Sequence, residues 1–188
     1  SATGNFARQT GAMVGVNVPV IPVEHQYIVT DQHPAIMERR AKGLPEMGVL
    51  RESDSSWYMR EEAGGLLLGP YEVGAPACYV KGPAANSEYE LFPDDLERLM
   101  PYIETAITRV PAFGEVGVKK VYNGAIAYTP DGSPIVGPAA GLKNFWLNEG
   151  HSFGITAAGG AGWQLAHWIV DGEPTVDMMG VDPRRFGD

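Results

Sequence analysis

Glycine and proline punctuate this chain so densely that few segments can run on as long regular elements. Twenty-four glycines and fifteen prolines fall among 188 residues. Proline removes a backbone donor, and glycine raises the entropic cost of order. Only residues 93–110 and 155–171 keep apolar side chains at three- and four-residue spacing through several turns. Even these two carry helix-resistant residues. Pro101 is expected to break or kink the first near Leu99. In the second, Gly159, Gly160 and Gly162 each cost about 1 kcal/mol against alanine. Glycines so closely spaced need a reason, and the usual one is close approach by another backbone or a flat ligand.

The share of glycine and proline stays below that of low-complexity disorder, and 188 residues with 44% hydrophobic side chains suffice for one sizeable core. A formal charge of −9 leaves no basic stripe for a phosphate backbone, so no nucleic-acid partner is expected. The single cysteine, Cys78, excludes an intrachain disulfide framework and a thiolate zinc site, and no metal is expected. No apolar run approaches the roughly 20 residues of a membrane helix, and no secretory signal opens the sequence. The expectation is a soluble, acidic chain of a reducing compartment.

β-Branched residues dominate 16–30, predicting an entry loop and a strand over 23–30 with Pro19 and Pro22 before it. Residues 32–45 are polar and read as a surface loop. Short strands are expected at 49–51, 56–60 and 65–69, the last two joined through Glu61-Glu62-Ala63-Gly64 as a hairpin. A Gly/Pro/Ala-rich loop with Cys78 spans 73–89. The first helix would bury Leu96, Leu99, Met100, Ile103, Ile107 and Val110, with Asp94 and Asp95 favouring its dipole. One or two strands over 116–128 lead to Thr129-Pro130-Asp131-Gly132, a strong turn signal. Further strands read at 134–137 and 144–147. The second helix would bury Ile155, Ala158, Gly162, Leu165 and Ile169.

Chemistry concentrates where Gly150-His151-Ser152-Phe153-Gly154 joins the strand at 145–147 to the second helix. A small-residue loop before a helix with unpartnered N–H groups favours anions. It suits a phosphate, a carboxylate or the electron-rich edge of a reduced flavin; a tight packing turn is the plainer alternative. Ser1-Ala2-Thr3-Gly4 reads as the turn that usually follows a strand, which is consistent either with a processed end or with the interior of a longer polypeptide.

Two runs carry a family resemblance. One extends from Tyr122 through Thr129-Pro130-Asp131-Gly132-Ser133-Pro134-Ile135-Val136-Gly137. The other extends from Asn144 through Gly150-His151-Ser152-Phe153-Gly154-Ile155 to Trp168-Ile169-Val170-Asp171-Gly172-Glu173-Pro174. Both resemble the carboxyl-terminal third of flavin-dependent amine oxidoreductases of the D-amino-acid-oxidase superfamily, the dimethylglycine and sarcosine dehydrogenases above all. Gly15-Val16-Asn17-Val18-Pro19, Glu24-His25-Gln26-Tyr27 and the Ala2-Thr3-Gly4 turn fit in the same order. The early Gly-x-Gly-x-x-Gly fingerprint of such enzymes does not occur in this sequence, which resembles a carboxyl-terminal part lacking the dinucleotide-binding amino half.

The resemblance implies an α+β (mixed α/β) fold. Residues 1–15 would end one FAD-binding segment, and 16–120 would form a substrate domain whose antiparallel sheet roofs the flavin. Residues 121–188 would form the carboxyl-terminal FAD-binding segment. It implies FAD as the cofactor of the complete enzyme, with Thr3 and Gly4 running past it as backbone. Gly124, Gly150, His151, Ser152, Phe153, Gly154, Ile155 and Thr156 would lie along the isoalloxazine ring, the helix N-terminus offsetting negative charge near N1 and C2=O. His151 would add a donor there, or serve only as a structural hydrogen-bonder.

Tyr27 matches a tyrosine that lines the substrate pocket, against the reading of a half-buried strand aromatic. His25 shares its strand face, so that both reach the pocket or neither does. These two are the catalytic candidates; His33 and His167 read as a loop residue and a surface helix residue. Gly124 stands near where monomeric sarcosine oxidases carry a flavin-tethering cysteine, and Thr156 near their oxygen-handling lysine. A cysteinyl tether is therefore not expected, and a dehydrogenase is favoured over an oxidase.

The implied activity is oxidative demethylation of a small N-methylated amine of the sarcosine or dimethylglycine type. Tetrahydrofolate would accept formaldehyde through another module, and the electron acceptor is left open. The setting would be a bacterial cytoplasm or, alternatively, a mitochondrial matrix. The isolated chain is expected to bind no FAD. The contrasting expectation is a catalytically inactive, FAD-free domain that folds alone or self-associates through exposed apolar surface.

Overall fold

The computed structural model describes residues 1–187. In chain order the regular elements are α1 (Ala7–Ala12), β1 (Ile21–Thr30), α2 (Pro34–Ala41), β2 (Leu50–Glu52), β3 (Trp57–Glu62), β4 (Gly65–Pro70), α3 (Leu96–Arg109), β5 (Val118–Tyr128), β6 (Ile135–Pro138), β7 (Trp146–Glu149) and α4 (Gly154–Asp171). They make two compact units. One comprises 24–76 and 89–124, the other 1–23, 77–88 and 125–188.

The first of these units is built on a five-stranded sheet of order β2-β3-β4-β1-β5, with β2/β3, β3/β4 and β4/β1 antiparallel. Strand alternation gives it two faces. Trp57 and Met59 of β3, Leu66 and Leu68 of β4 and Ile28 of β1 point to one side, where Leu99 and Ala106 of α3 complete the core. Trp57 is fully buried, and its indole N–H donates to Thr105 Oγ1 at 3.0 Å. The β3–β4 hairpin turns at Ala63 (φ 51°) and Gly64 (φ 88°), the pair of left-handed residues whose twist matches the flanking strands.

Helix α3 runs unbroken through Pro101, against expectation. Pro101 is exposed and costs about 3 kcal/mol in a helix interior. Burial of Leu99 and Ala106, with Tyr102, Ile103 and Val110 packed on the same core, outweighs that at roughly 1.5–3 kcal/mol per large side chain. The inward face is centred differently from the expected stripe: Leu96, Met100 and Ile107 remain between 40% and 48% exposed. Asp95 is the cap itself, its Oδ1 accepting the Arg98 N–H at 3.0 Å.

Part of the segment expected as a loop at 32–45 is helix α2. His33 is buried and caps it, Nδ1 accepting the Ala35 N–H at 3.2 Å, and Pro34 supplies a preformed first turn. His33 therefore has a structural task that its reading as a loop residue missed.

In the other unit Val18, Val20, Ile135 and Leu147 form the core with Ala7 and Ala139. Strands β6 and β7 pair antiparallel, Ile135 opposite Glu149 and Gly137 opposite Leu147. A Cβ at Gly137 would come within 2.9 Å of the Trp168 ring, so glycine lets α4 lie against β6. Helix α4 closes on left-handed Gly172 (φ 89°).

Its inward face is not the expected stripe. Gln164 is buried and bonded to Thr175, while Leu165 and Trp168 are half-buried. Ile155 is fully exposed, Ala158 and Gly162 are exposed, and Ile169 is 50% exposed. Contacts through Trp168 and Gln164 set the rotation of this helix, not its hydrophobic majority. Apart from the helix's own backbone, nothing lies within 4 Å of a Cβ built at Gly159, Gly160 or Gly162, so nothing among the described residues makes the close approach those glycines suggest. Among the described residues no helix is long and apolar enough to cross a membrane, and no cluster of three or more His, Cys, Asp or Glu could hold a metal ion.

Candidate functional site

The loop before α4 is positioned by the 129–132 turn. Thr129 Oγ1 donates to Ser133 O at 2.6 Å, and the Ser133 N–H donates to Asp131 Oδ1 at 3.0 Å. Arg185 grips the same turn, Nε on Asp131 Oδ2 at 2.7 Å and Nη2 on Ser133 O at 2.8 Å. Arg185 is the main reason that the Asp131 carboxyl lies well below the usual carboxylate range. Ser152 Oγ reaches Gly132 O at 3.3 Å, tying loop to turn. Gly150 takes φ 69°, and a Cβ there would stand 2.4 Å from Thr129 Cγ2, so only glycine passes.

Glu149 joins this loop to the start of the chain. It is buried, and its carboxylate accepts the Thr3 N–H at 2.9 Å, the Gly4 N–H at 3.0 Å, and the hydroxyls of Ser1 and Thr3 at 2.6 and 3.0 Å. Thr3 and Gly4 are thus held beside the 150–154 loop. Their amides are already occupied, so they supply backbone shape, not free donors. Sequence reasoning passed over Glu149, because one glutamate ending a short strand carries no local signature.

His151 Nε2 lies 2.5 Å from Asn148 Oδ1. A neutral ring that donates there leaves Nδ1 as an acceptor. That atom is buried and without a partner among the described residues. Burial lowers the pKa of His151, Glu149 pulling the other way, so the neutral form holds at pH 7. Phe153, at the cap of α4, makes no side-chain cap bond and the first turn holds no acid. The N–H groups of Gly154, Ile155 and Thr156 therefore have no partner within the helix. A buried acceptor beside open amides fits a bound group with a donor edge and an electron-rich edge, as the pyrimidine side of a flavin has.

The sheet unit holds a second constellation. On the face away from α3, a cleft of about 470 Å³ is lined by Tyr27, Tyr58, Arg60, Lys119, Lys120 and Tyr122, among others. Tyr58 lies across β4, where its partner in register is Gly69; a Cβ at Gly69 would fall 2.2 Å from Tyr58 Cζ. Tyr27 stacks on Tyr122 with centroids 4.8 Å apart and planes 18° from parallel, and Lys120 Nζ stands 4.4 Å over the Tyr122 ring. Burial, then a neighbouring tyrosine, raises the pKa of both Tyr27 and Tyr58, so both phenols remain protonated donors. The Lys120/Tyr122 alternation on β5 was the available signal for this face, and sequence reasoning read the segment only as strand.

His25 goes elsewhere. Its Nδ1 lies 3.8 Å from Glu72 Oε1 in a buried network. Glu72 accepts the Gln26 N–H at 2.5 Å and Gln26 Nε2 at 3.0 Å, and pairs with Arg98. Burial lowers the His25 pKa, Glu72 opposing and Arg98 reinforcing. Sharing a strand face did not place both in one pocket: the His25 ring lies against buried Glu72, while Tyr27 lines the cleft. Gly124, midway along β5, has room: a Cβ there would meet only Leu91 Cδ2 at 3.7 Å.

Comparison with known proteins shows the family. Residues 1–168 match the family described as FAD dependent oxidoreductase. The chain is 40% identical over 192 residues to mitochondrial dimethylglycine dehydrogenase of Rattus norvegicus, covering 100% of this chain and 22% of that protein. It is 36% identical over 187 residues to human mitochondrial sarcosine dehydrogenase, covering 99% and 19%. The crystal structure of L-proline dehydrogenase from P. horikoshii superposes with a TM-score of 0.74 at 25% identity, over 98% of this chain and 46% of that one. The two dehydrogenases of known sequence are thus several times longer than this chain. On the extent of the match and these identities, the chain belongs to the FAD-dependent oxidoreductase family.

Proposed function

We propose that the complete protein is an FAD-dependent dehydrogenase that oxidises a small N-methylated amine of the sarcosine or dimethylglycine type. The observation that carries this reading is identity spread along the whole chain to dimethylglycine dehydrogenase. FAD, when bound, supplies the hydride-accepting chemistry that no side chain here can. The protein contributes placement and electrostatics. His151 Nδ1 would accept from a donor on the cofactor, and the open amides of Gly154, Ile155 and Thr156 would face its negative charge.

In the cleft, Arg60, Lys119 and Lys120 offer positive charge to a carboxylate, and the phenols of Tyr27 and Tyr58 offer donors. Loss of hydride from the N-methyl carbon leaves an iminium carbon. Water hydrolyses it to formaldehyde, or tetrahydrofolate held by another module takes up the one-carbon unit. The mitochondrial matrix fits the mitochondrial relatives; a bacterial cytoplasm is the other setting.

The test is anaerobic stopped-flow reduction of the full-length flavoenzyme by dimethylglycine and sarcosine. Tyr27→Phe should slow reduction roughly tenfold, the worth of one hydrogen bond, with bound flavin retained. Unchanged kinetics would remove Tyr27 from the site, and failure of any N-methylated amine to reduce the flavin would remove the proposal. A second reading, an FAD-free self-associating domain, draws on the exposed apolar side of α4, including Ile155 and Val170. The purified 188-residue chain should show no flavin absorbance; a stoichiometrically yellow preparation would contradict that expectation.

A further inference from the structure

We propose that Tyr122, with Lys120 over its ring, is a positioning residue that fixes the orientation of Tyr27 in the cleft. The inference rests on the reading of Tyr27 as a substrate contact. Tyr27 on β1 and Tyr122 on β5 stand on neighbouring strands, and their rings stack at 4.8 Å and 18°. The backbone alone does not require this arrangement, because a tyrosine on a strand has two common χ1 settings.

Lys120 precedes Tyr122 by two residues and so shares its strand face. Its Nζ lies 4.4 Å over the Tyr122 ring, well inside the range in which an ammonium is held by an aromatic face. The stack is separate from the packed core of its unit: Val121, beside Tyr122, packs against that core, but neither Tyr122 nor Tyr27 does. Two aromatic rings and a lysine spent on the cleft side of the sheet add little to that core. What they determine is where the Tyr27 phenol points.

The experiment uses the full-length flavoenzyme with 3-fluorotyrosine at position 27. Tyr122→Leu should move the ¹⁹F resonance of residue 27 and lower the limiting rate of flavin reduction roughly three- to tenfold, the range for one aromatic pair. Flavin content should stay unchanged. Tyr122→Phe should restore both, because the stack needs only the ring, and Lys120→Met should move the resonance by an intermediate amount. Added to Tyr27→Phe, Tyr122→Leu should lower the rate no further. An unmoved resonance, or rate losses that add in the double variant, would overturn the proposal. A moved resonance with Tyr27→Phe itself silent would leave the stack standing but overturn the substrate reading of Tyr27, and the positioning role with it.

Discussion

Helices α3 and α4 look alike in sequence and differ in what they cover. Both carry apolar residues at helical spacing, and both contain residues that oppose helix formation. Helix α3 keeps Leu99 and Ala106 fully buried against its sheet. Helix α4 turns Ile155, Trp163 and Val170 outward, the last 80% exposed. Apolar periodicity therefore marks a surface that would gain from a partner without saying that the partner is in the same 188 residues. The breakers follow the same division. Pro101 is tolerated because the packed side of α3 compensates for it. A Cβ at Gly159, Gly160 or Gly162 would meet nothing beyond the helix's own backbone within 4 Å, so in this chain these glycines carry only their cost.

The largest test of that contrast is Leu99→Ala. It should destabilise the chain by about 3 kcal/mol in urea unfolding, whereas Ile169→Ser on α4 should stay within about 0.5 kcal/mol. Similar losses from both would mean that the exposed side of α4 is packed in solution. Next comes Gly69→Ala, which drives a methyl into the Tyr58 ring and should cost about 1–3 kcal/mol, with Tyr58→Leu relieving most of it. Indifference to the substitution would show that Tyr58 does not lie across β4.

Gly159→Ala should do the reverse and stabilise the isolated chain by about 1 kcal/mol. If a backbone or flat ligand approaches this helix in the complete protein, the same substitution there should weaken flavin retention; equal stabilisation in both settings would leave the glycines without a role. The smallest effect concerns pH. Burial lowers the pKa of His25 in the sheet unit and of His151 in the other. The unfolded chain then takes up protons first as pH falls below about 6.5. Stability should be complete above that value and decline as pH drops toward the folded pKa. His25→Asn should flatten part of the slope, and an unaltered urea midpoint from pH 7 to pH 5 in the parent chain would argue against burial of both rings.

Much of the fold was legible because its signals are local. The strand runs, the Glu61-Glu62-Ala63-Gly64 connection and the Thr129-Pro130-Asp131-Gly132 turn depend on neighbours a few residues away. Helix α2 escaped because it is short and only Ile36 of its eight residues is buried, although His33-Pro34 is a helix start in plain view. The site was legible only in part. The Gly150–Gly154 loop announces itself by composition, and Tyr27 by its family match. Glu149 does not, since its donors on Ser1, Thr3 and Gly4 lie more than 140 residues away. The fates of His25 and Tyr27 diverge for a similar reason: Glu72, which faces His25, and Arg98, which pairs with Glu72, are distant in sequence.

By itself the sequence determined the class of fold, the places where the chain must turn and the family to which it belongs. These depend on backbone freedom, strand and helix periodicity and ordered motifs, all of which are properties of short segments. Tertiary structure alone decided which side of each helix is covered, which buried carboxylate receives the Thr3 and Gly4 amides, and which tyrosines share a cleft. Each of those is settled by desolvation and close packing between residues far apart in the chain. That is also why the dense glycine has no single meaning here: Gly69 makes room for a ring and Gly150 for a turn, while Gly159 stands open.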